Sequence, residues 1–149
     1  MKKSVTILSA ALMLFSVFAF ATDSDKVNAR VKNAFLNDFT TASNVSWELL
    51  KDFYFATFTL DNIEVSAAYN EQGELVGTSR TIERSLLPIL VTRALDKKYE
   101  GYTISKKAIE MAFEGTTRYY ISVSNEKQTL KLKCSADGII EVERKIKKK

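Results

Sequence analysis

The stretch Phe53 to Tyr69, FYFATFTLDNIEVSAAY, constrains this chain most, because it alternates like two strands folded about a turn. Tyr54, Ala56, Phe58 and Leu60 alternate with Phe53, Phe55, Thr57 and Thr59, and Ile63, Val65, Ala67 and Tyr69 alternate on the return. Between them lies Asp61-Asn62, a pair suited to a tight hairpin turn. Gly73 closes a second turn just beyond, at a position that tolerates a positive φ.

The pattern then returns. Gly73 and Gly138 lie 65 positions apart, and at that offset Tyr54 meets Tyr119, Phe58 meets Val123, Val65 meets Leu130, Tyr69 meets Cys134 and Leu75 meets Ile140. Helical spacing appears at an offset of 60, with Val31 on Val91, Ala34 on Ala94 and Phe39 on Tyr99. A helix is expected over Lys26 to Phe39, capped by Ser24 or Asp25, and a second over Glu83 to Tyr99 with Pro88 in its first turn. The second helix's stripe is Leu86, Leu87, Leu90, Val91, Ala94 and Leu95. Trp47 to Leu50 reads as a short strand and Leu75 to Ile82 as a full one. Tyr102 to Phe113 fits either an extended link with a short strand or a helical turn. Strands at Tyr119 to Val123, Thr129 to Ser135 and Ile139 to Ile146 complete the chain, with Asn125-Glu126-Lys127 turning between the first two. The fold class is therefore α+β. Two tandem helix-plus-antiparallel-meander repeats, about 25–82 and 83–146, form one curved antiparallel sheet with the helices on one face.

The repeat sorts the two sheet faces. Tyr54, Ala56, Phe58, Val65, Leu75, Tyr119, Ile121, Val123, Leu130, Leu132, Ile140 and Val142 are expected to face the helices. The opposite face carries Phe55, Arg80, Tyr120, Lys131, Lys133, Glu141 and Glu143, and is expected to meet water.

Residues 1–21 read as a secretory signal: Lys2 and Lys3, an apolar run from Val5 to Phe20, and the cleavage site Ala19-Phe20-Ala21. The domain proper is then 22–149, in the periplasm or outside the cell. Without Lys2 and Lys3 the chain holds 20 basic and 18 acidic residues, a net +2, much of it in Lys145, Lys147, Lys148 and Lys149. That block suits a solvated end or a contact with an anionic surface, and export argues against nucleic acid. Cys134 is alone, which excludes an internal disulfide, and its place in the alternation Leu130, Leu132, Cys134 makes it a small buried apolar residue. The chain has no His, which removes the usual activation of Ser and Cys nucleophiles and the standard zinc ligand sets.

Asn44-Val45-Ser46-Trp47, Tyr54-Phe55-Ala56-Thr57-Phe58 and Tyr69-Asn70-Glu71-Gln72-Gly73-Glu74-Leu75-Val76, after an export signal and a helix, resemble the PepSY-like, β-lactamase-inhibitor-like domain of exported bacterial proteins, a family common in Bacteroidetes. The resemblance covers nearly the whole mature chain. The second half departs from it, with Lys107 or Ala108 where the Trp falls and Cys134 for the Tyr. It implies helices on a curved antiparallel sheet and no catalytic residues. It also implies a concave sheet face and a hairpin loop as the surfaces that grip a partner.

The candidate binding residues follow. Phe55, Tyr120 and Trp47 are large rigid aromatics of the kind found at interfaces, though Trp47, just ahead of the first long strand, better suits the core, and the other two suit cross-strand packing equally well. Arg80, Lys131 and Lys133 beside them would steer an acidic partner. Asp61 and Asn62, with Asn125-Glu126-Lys127, form hairpin tips that would enter a cleft or simply turn the chain. Glu71 and Glu74 lack the spacing of a calcium loop, so no metal or cofactor is assigned. Glu141 and Glu143 are the one carboxylate pair for acid/base work, and no nucleophile elbow or phosphate loop occurs. The reading is an exported, non-enzymatic module for an unidentified envelope protein or peptide. The alternatives are an envelope protein contacting anionic surface through its lysines, and a carrier of a small apolar ligand.

Overall fold

The structure, a computed structural model, describes residues 26–149, so the expected signal lies outside the described residues. The chain divides into two compact units, the first ending at Ser79 and the second running Arg80–Lys149. The first holds helix α1 (Ala29–Asp38) and strands β1 (Ser43–Leu50), β2 (Phe53–Leu60) and β3 (Ile63–Asn70). Strand β4 (Leu75–Glu83) crosses the boundary. The second holds a 3-10 turn (Arg84–Leu86), helix α2 (Ile89–Lys98) and strands β5 (Thr103–Ile104), β6 (Lys107–Phe113), β7 (Thr116–Ser124), β8 (Gln128–Ser135) and β9 (Ile140–Lys147). Among the described residues the antiparallel strands follow the order β1-β2-β3-β4-β6-β7-β8-β9, with β5 on β7, in an open sheet of nine strands.

The central hairpin forms as its alternation dictates. Strands β2 and β3 pair without a break from Phe53↔Asn70 to Leu60↔Ile63. Asp61 and Asn62 take φ of 49° and 64°, the positive values a type I′ turn requires. Strand β1 is longer than expected, and its register slips between Ser43 and Ser46. Asn44 lies at φ 53° within that slip, a short polar side chain absorbing a bulge in an edge strand. The segment from Tyr102 to Phe113 is extended, as β5 and β6, which settles the choice between strand and helical turn.

Both helices start later than their apolar spacing implies. Helix α1 is capped by Asn28, whose Oδ1 accepts the Val31 N–H at 3.0 Å while its Nδ2 donates to the Glu71 carbonyl at 3.0 Å. One side chain thus satisfies an orphan amide and ties the helix start to the β3–β4 turn, which Ser24 or Asp25 could not do from further back. In the second unit Pro88 is the N-cap rather than a first-turn residue. It holds Leu87 extended at φ −65°, ψ 147°, so Glu83 ends a strand and Arg84–Leu86 make only a 3-10 turn.

Each unit has its own core. In the first, Val31 and Phe35 of α1 meet Trp47, Tyr54, Ala56, Phe58, Ala67 and Tyr69. The Phe35 ring stands edge-on to Phe58 at 5.0 Å and to Trp47 at 5.2 Å, and tilted to Phe39 at 5.6 Å. Such edge contacts add about 0.5–1.5 kcal/mol per pair beyond burial. Tyr69 is fully buried, but its hydroxyl donates to Asp38 Oδ2 at 2.8 Å, so its phenol is satisfied. Burial, then the Asp38 carboxylate, holds that phenol's ionisation far above the ordinary tyrosine range.

In the second unit Leu87, Val91, Leu95 and Tyr99 cover Tyr119, Ile121, Val123, Leu130, Leu132 and Cys134. Four residues expected inside are exposed instead: Leu86 and Leu90 from the helix stripe, and Leu75 and Val142 at the strand ends. Leu86 drops out of the stripe because α2 begins only at Ile89, and within α2 the buried residues are Val91, one position on from Leu90, and Leu95.

Cys134 is a free, fully buried thiol. Burial raises its pKa from 9.0 to about 11, with Lys98 opposing weakly. The raised value means that stability from the neutral thiol is complete below pH 9 and lost as pH climbs toward 11. Iodoacetamide at pH 8.5 is expected to modify the native protein at least about a hundredfold more slowly than the urea-unfolded chain. Comparable rates would place the thiol at the surface.

Candidate functional site

The aromatic pair expected on the water-facing side is not at the surface. Phe55 is 1% exposed and Tyr120 3%. Their side of the sheet follows the alternation: Phe55 stands opposite Ala68, and Tyr120 opposite Ile109 and Lys133. That side is not uniformly wet, however, because Ala68 in the first unit and Met111 in the second are buried there too. Alternation fixes which way a side chain points and says nothing about what covers it. Trp47 belongs to the first core, against Phe35 and Tyr69. None of the three aromatics offers a free contact surface.

The charged candidates are engaged locally. Arg80 lies on the core side of its strand rather than the water-facing side expected, because the alternation slips within β4, where Gly77 and Ile82 are both buried. It donates from Nε to Glu110 Oε1 at 2.7 Å, and Glu110 stands opposite the core residue Tyr119. Lys131 donates to Ser122 Oγ at 2.8 Å, and Lys133 Nζ lies 3.8 Å from Glu141 Oε2. Tyr120, Lys133 and Glu141 form one row across β7, β8 and β9. Burial first, then the Glu143 carboxylate, raises the Tyr120 phenol, with Arg118 acting against them. Glu143 is raised by burial as well, and sits where the β8–β9 register skips a residue. Tyr120, Lys131, Lys133, Glu141 and Glu143 form a charged lattice on one strand face rather than paired acids converging on a cleft. Asp61 and Asn62 are exposed at their turn. Lys145 and Lys147 are exposed within β9 rather than in a frayed end, and the Lys148 N–H donates to the Lys127 carbonyl at 3.0 Å.

Two depressions lie on the surface. One, of about 570 Å³, is lined by Gly101, Thr103, Ser124, Asn125, Glu126, Lys127 and Lys148. The other, of about 500 Å³, is lined by Asn28, Arg30, Tyr54, Glu71 and Gln72. Both linings are mainly polar, which gives an apolar ligand little to hold.

A feature the sequence reading assigned elsewhere is an apolar patch on the second unit. Leu86, Ile89 and Leu90 are 67%, 70% and 48% exposed, and Ile139 is 61% exposed. Ile89 and Leu90 are neighbours in the first turn of α2, and Leu86 ends the 3-10 turn just before it. Ile139 joins them because Gly138 presses against Leu90: a Cβ on Gly138 would lie 2.8 Å from the Leu90 carbonyl oxygen. At the same offsets the first unit carries Lys26, Ala29, Arg30 and Glu74, all exposed. Comparing polarity at matched positions, instead of matching apolar ones, is the signal that would have found the patch.

No protein-family model and no curated protein matches the sequence. Solved structures match the fold. A protein of Bacteroides eggerthii, provisionally described as periplasmic, superposes with a TM-score of 0.70 at 18% identity over 81% of this chain and 88% of its own. A DUF2874 family protein of Bacteroides uniformis gives 0.69 at 19% identity over 80% and 88%. A BLIP-like protein of Bacteroides fragilis gives 0.68 at 17% identity over 82% and 88%. The chain therefore has the BLIP-like fold. These neighbours bear on the β-lactamase-inhibitor-like part of the resemblance alone.

Proposed function

We propose that this chain is an exported, non-enzymatic binding module that holds a protein or peptide of the cell envelope, and that its two units are versions of one repeat. Export rests on the signal-like first 21 residues, and one structural neighbour described as periplasmic agrees with it. The observation that carries the binding reading is the patch of Leu86, Ile89, Leu90 and Ile139. Exposed apolar side chains gathered in one place are a liability in water unless something covers them. The fold itself does not demand them, because the matched positions of the first unit are mostly polar. Scattered exposed residues such as Leu36 need no such account.

The test is crosslinking capture from native envelope extract by the purified protein and by Ile89→Asp/Leu90→Asp. Both side chains are exposed, so the variant should fold, which circular dichroism checks. A protein captured by the first and lost from the second is the expected result. Equal capture by both, or none by either, removes the patch as the binding surface. A second reading draws on the exposed lysines of β9: contact with an anionic envelope surface. It requires that capture be abolished by raising salt, which weakens exposed charge contacts and leaves an apolar patch intact.

A further inference from the structure

Strand β9 ends the strand order, so its outer edge has no neighbouring strand among the described residues. The chain contains its own example of what such an edge accepts. Strand β4 is the sequence counterpart of β9, 65 positions earlier, and β4 has β6 beside it. Across that pairing Arg80 of β4 bonds Glu110 of β6 at 2.7 Å. The counterpart of Arg80 is Lys145. The alternation puts Arg80 on the face of Ile82, a core residue, and Lys145 stands opposite Leu130, also a core residue. Both cations therefore occupy the core side of their strands. Among the described residues no ion pair forms at Lys145, and Arg144, Lys145, Lys147, Lys148 and Lys149 are all exposed.

We propose that the outer edge of β9 is a strand-addition site for an extended acidic peptide segment, docked as a further strand with a carboxylate on Lys145. This rests on the binding-module reading and names a second surface for it. Main-chain hydrogen bonds to the open edge supply affinity without regard to sequence, and the lysines select for acid. A second copy of this chain does not fit. Two β9 strands side by side would set Arg144, Lys145 and Lys147 against like charges, the usual defence of an edge strand. The other end strand, β1, is bulged at Asn44, and offers Leu49 where β6 offers Glu110: Leu49 stands opposite Tyr54, and Glu110 opposite its counterpart Tyr119.

The test uses the full purified protein and a fluorescein-labelled, acetylated octapeptide alternating glutamate and valine, read by anisotropy in low salt. A counterpart N-methylated throughout keeps the charges and loses every strand donor. The expected result is binding that falls at least about tenfold on N-methylation and about tenfold with Lys145→Glu, with slowed exchange of β9 amides in the complex. Lys145 is exposed, so that variant should fold. Equal binding of the N-methylated peptide reduces the site to a charge patch and overturns the proposal. So does the absence of binding, or binding confined to phosphatidylglycerol vesicles. Concentration-dependent assembly of the protein alone through β9 would reassign the edge to a second copy. Failure here with patch-dependent capture intact removes the edge and leaves the binding module standing.

Discussion

Phe35→Ala is expected to cost about 3–5 kcal/mol, the range for deleting a buried aromatic from a core that collapses poorly. Collapse is poor here because the neighbours are rigid rings: Trp47, Phe39 and Phe58 lie within 5.6 Å of Phe35, centroid to centroid, and cannot flow into the space left. The loss comprises the transferred area, the cavity, and three edge-on contacts, to Trp47, Phe58 and Tyr69. Against a total stability of roughly 5–15 kcal/mol, that is a large share. At about 3–6 °C per kcal/mol for a chain of this size, the midpoint of thermal unfolding should fall by about 10 °C or more. Trp47, the single tryptophan, reports the transition by fluorescence. Leu36→Ala, one residue along on the exposed flank of α1, should change stability by less than about 0.5 kcal/mol. Similar losses for the two variants would show that Phe35 is not the centre of this core.

Gly138→Ala is the second large effect. Two costs coincide: φ of 90° is poorly tolerated by any residue with a Cβ, and the added carbon would sit 2.8 Å from the Leu90 carbonyl oxygen and 3.1 Å from its carbon. The first costs about 1–2 kcal/mol and the overpacking about 1–3 more, because the obstacle is helix backbone rather than a flexible side chain. Gly73→Ala should fall below it, since the matching approach to Arg30 is 3.1 Å. Gly115→Ala isolates the backbone cost, as φ is 72° there and nothing lies within 4 Å. Urea melts of the three should rank them in that order. Equal losses for Gly115→Ala and Gly138→Ala would mean that the close approach of turn to helix carries no energy.

Strand content was legible in the sequence because the apolar alternation is local, and Phe53 to Tyr69 needed no tertiary information to read. Element ends were less so: Asn28 outcompetes Ser24 and Asp25 by bonding both Val31 and Glu71, a contact 43 residues away that spacing cannot reveal. The site was the least legible part. Phe55 and Tyr120 were placed on the correct side of the sheet but not in water, since burial depends on what lies across that side. Conversely Leu86 and Leu90 look like core in a helical stripe: Leu86 falls outside the helix, which Pro88 delays, and Leu90 is in it but one residue off the buried line of Val91 and Leu95.

The two cores share no residue. Each is therefore filled by its own set of side chains. The matched positions read that way: Phe35, Trp47 and Tyr69 in the first core stand against Leu95, Ala108 and Cys134 in the second. At these three positions one unit keeps rings and the other has smaller, non-aromatic side chains. A chain built this way can keep one half as a stable frame while the surface of the other half is reshaped for a new partner.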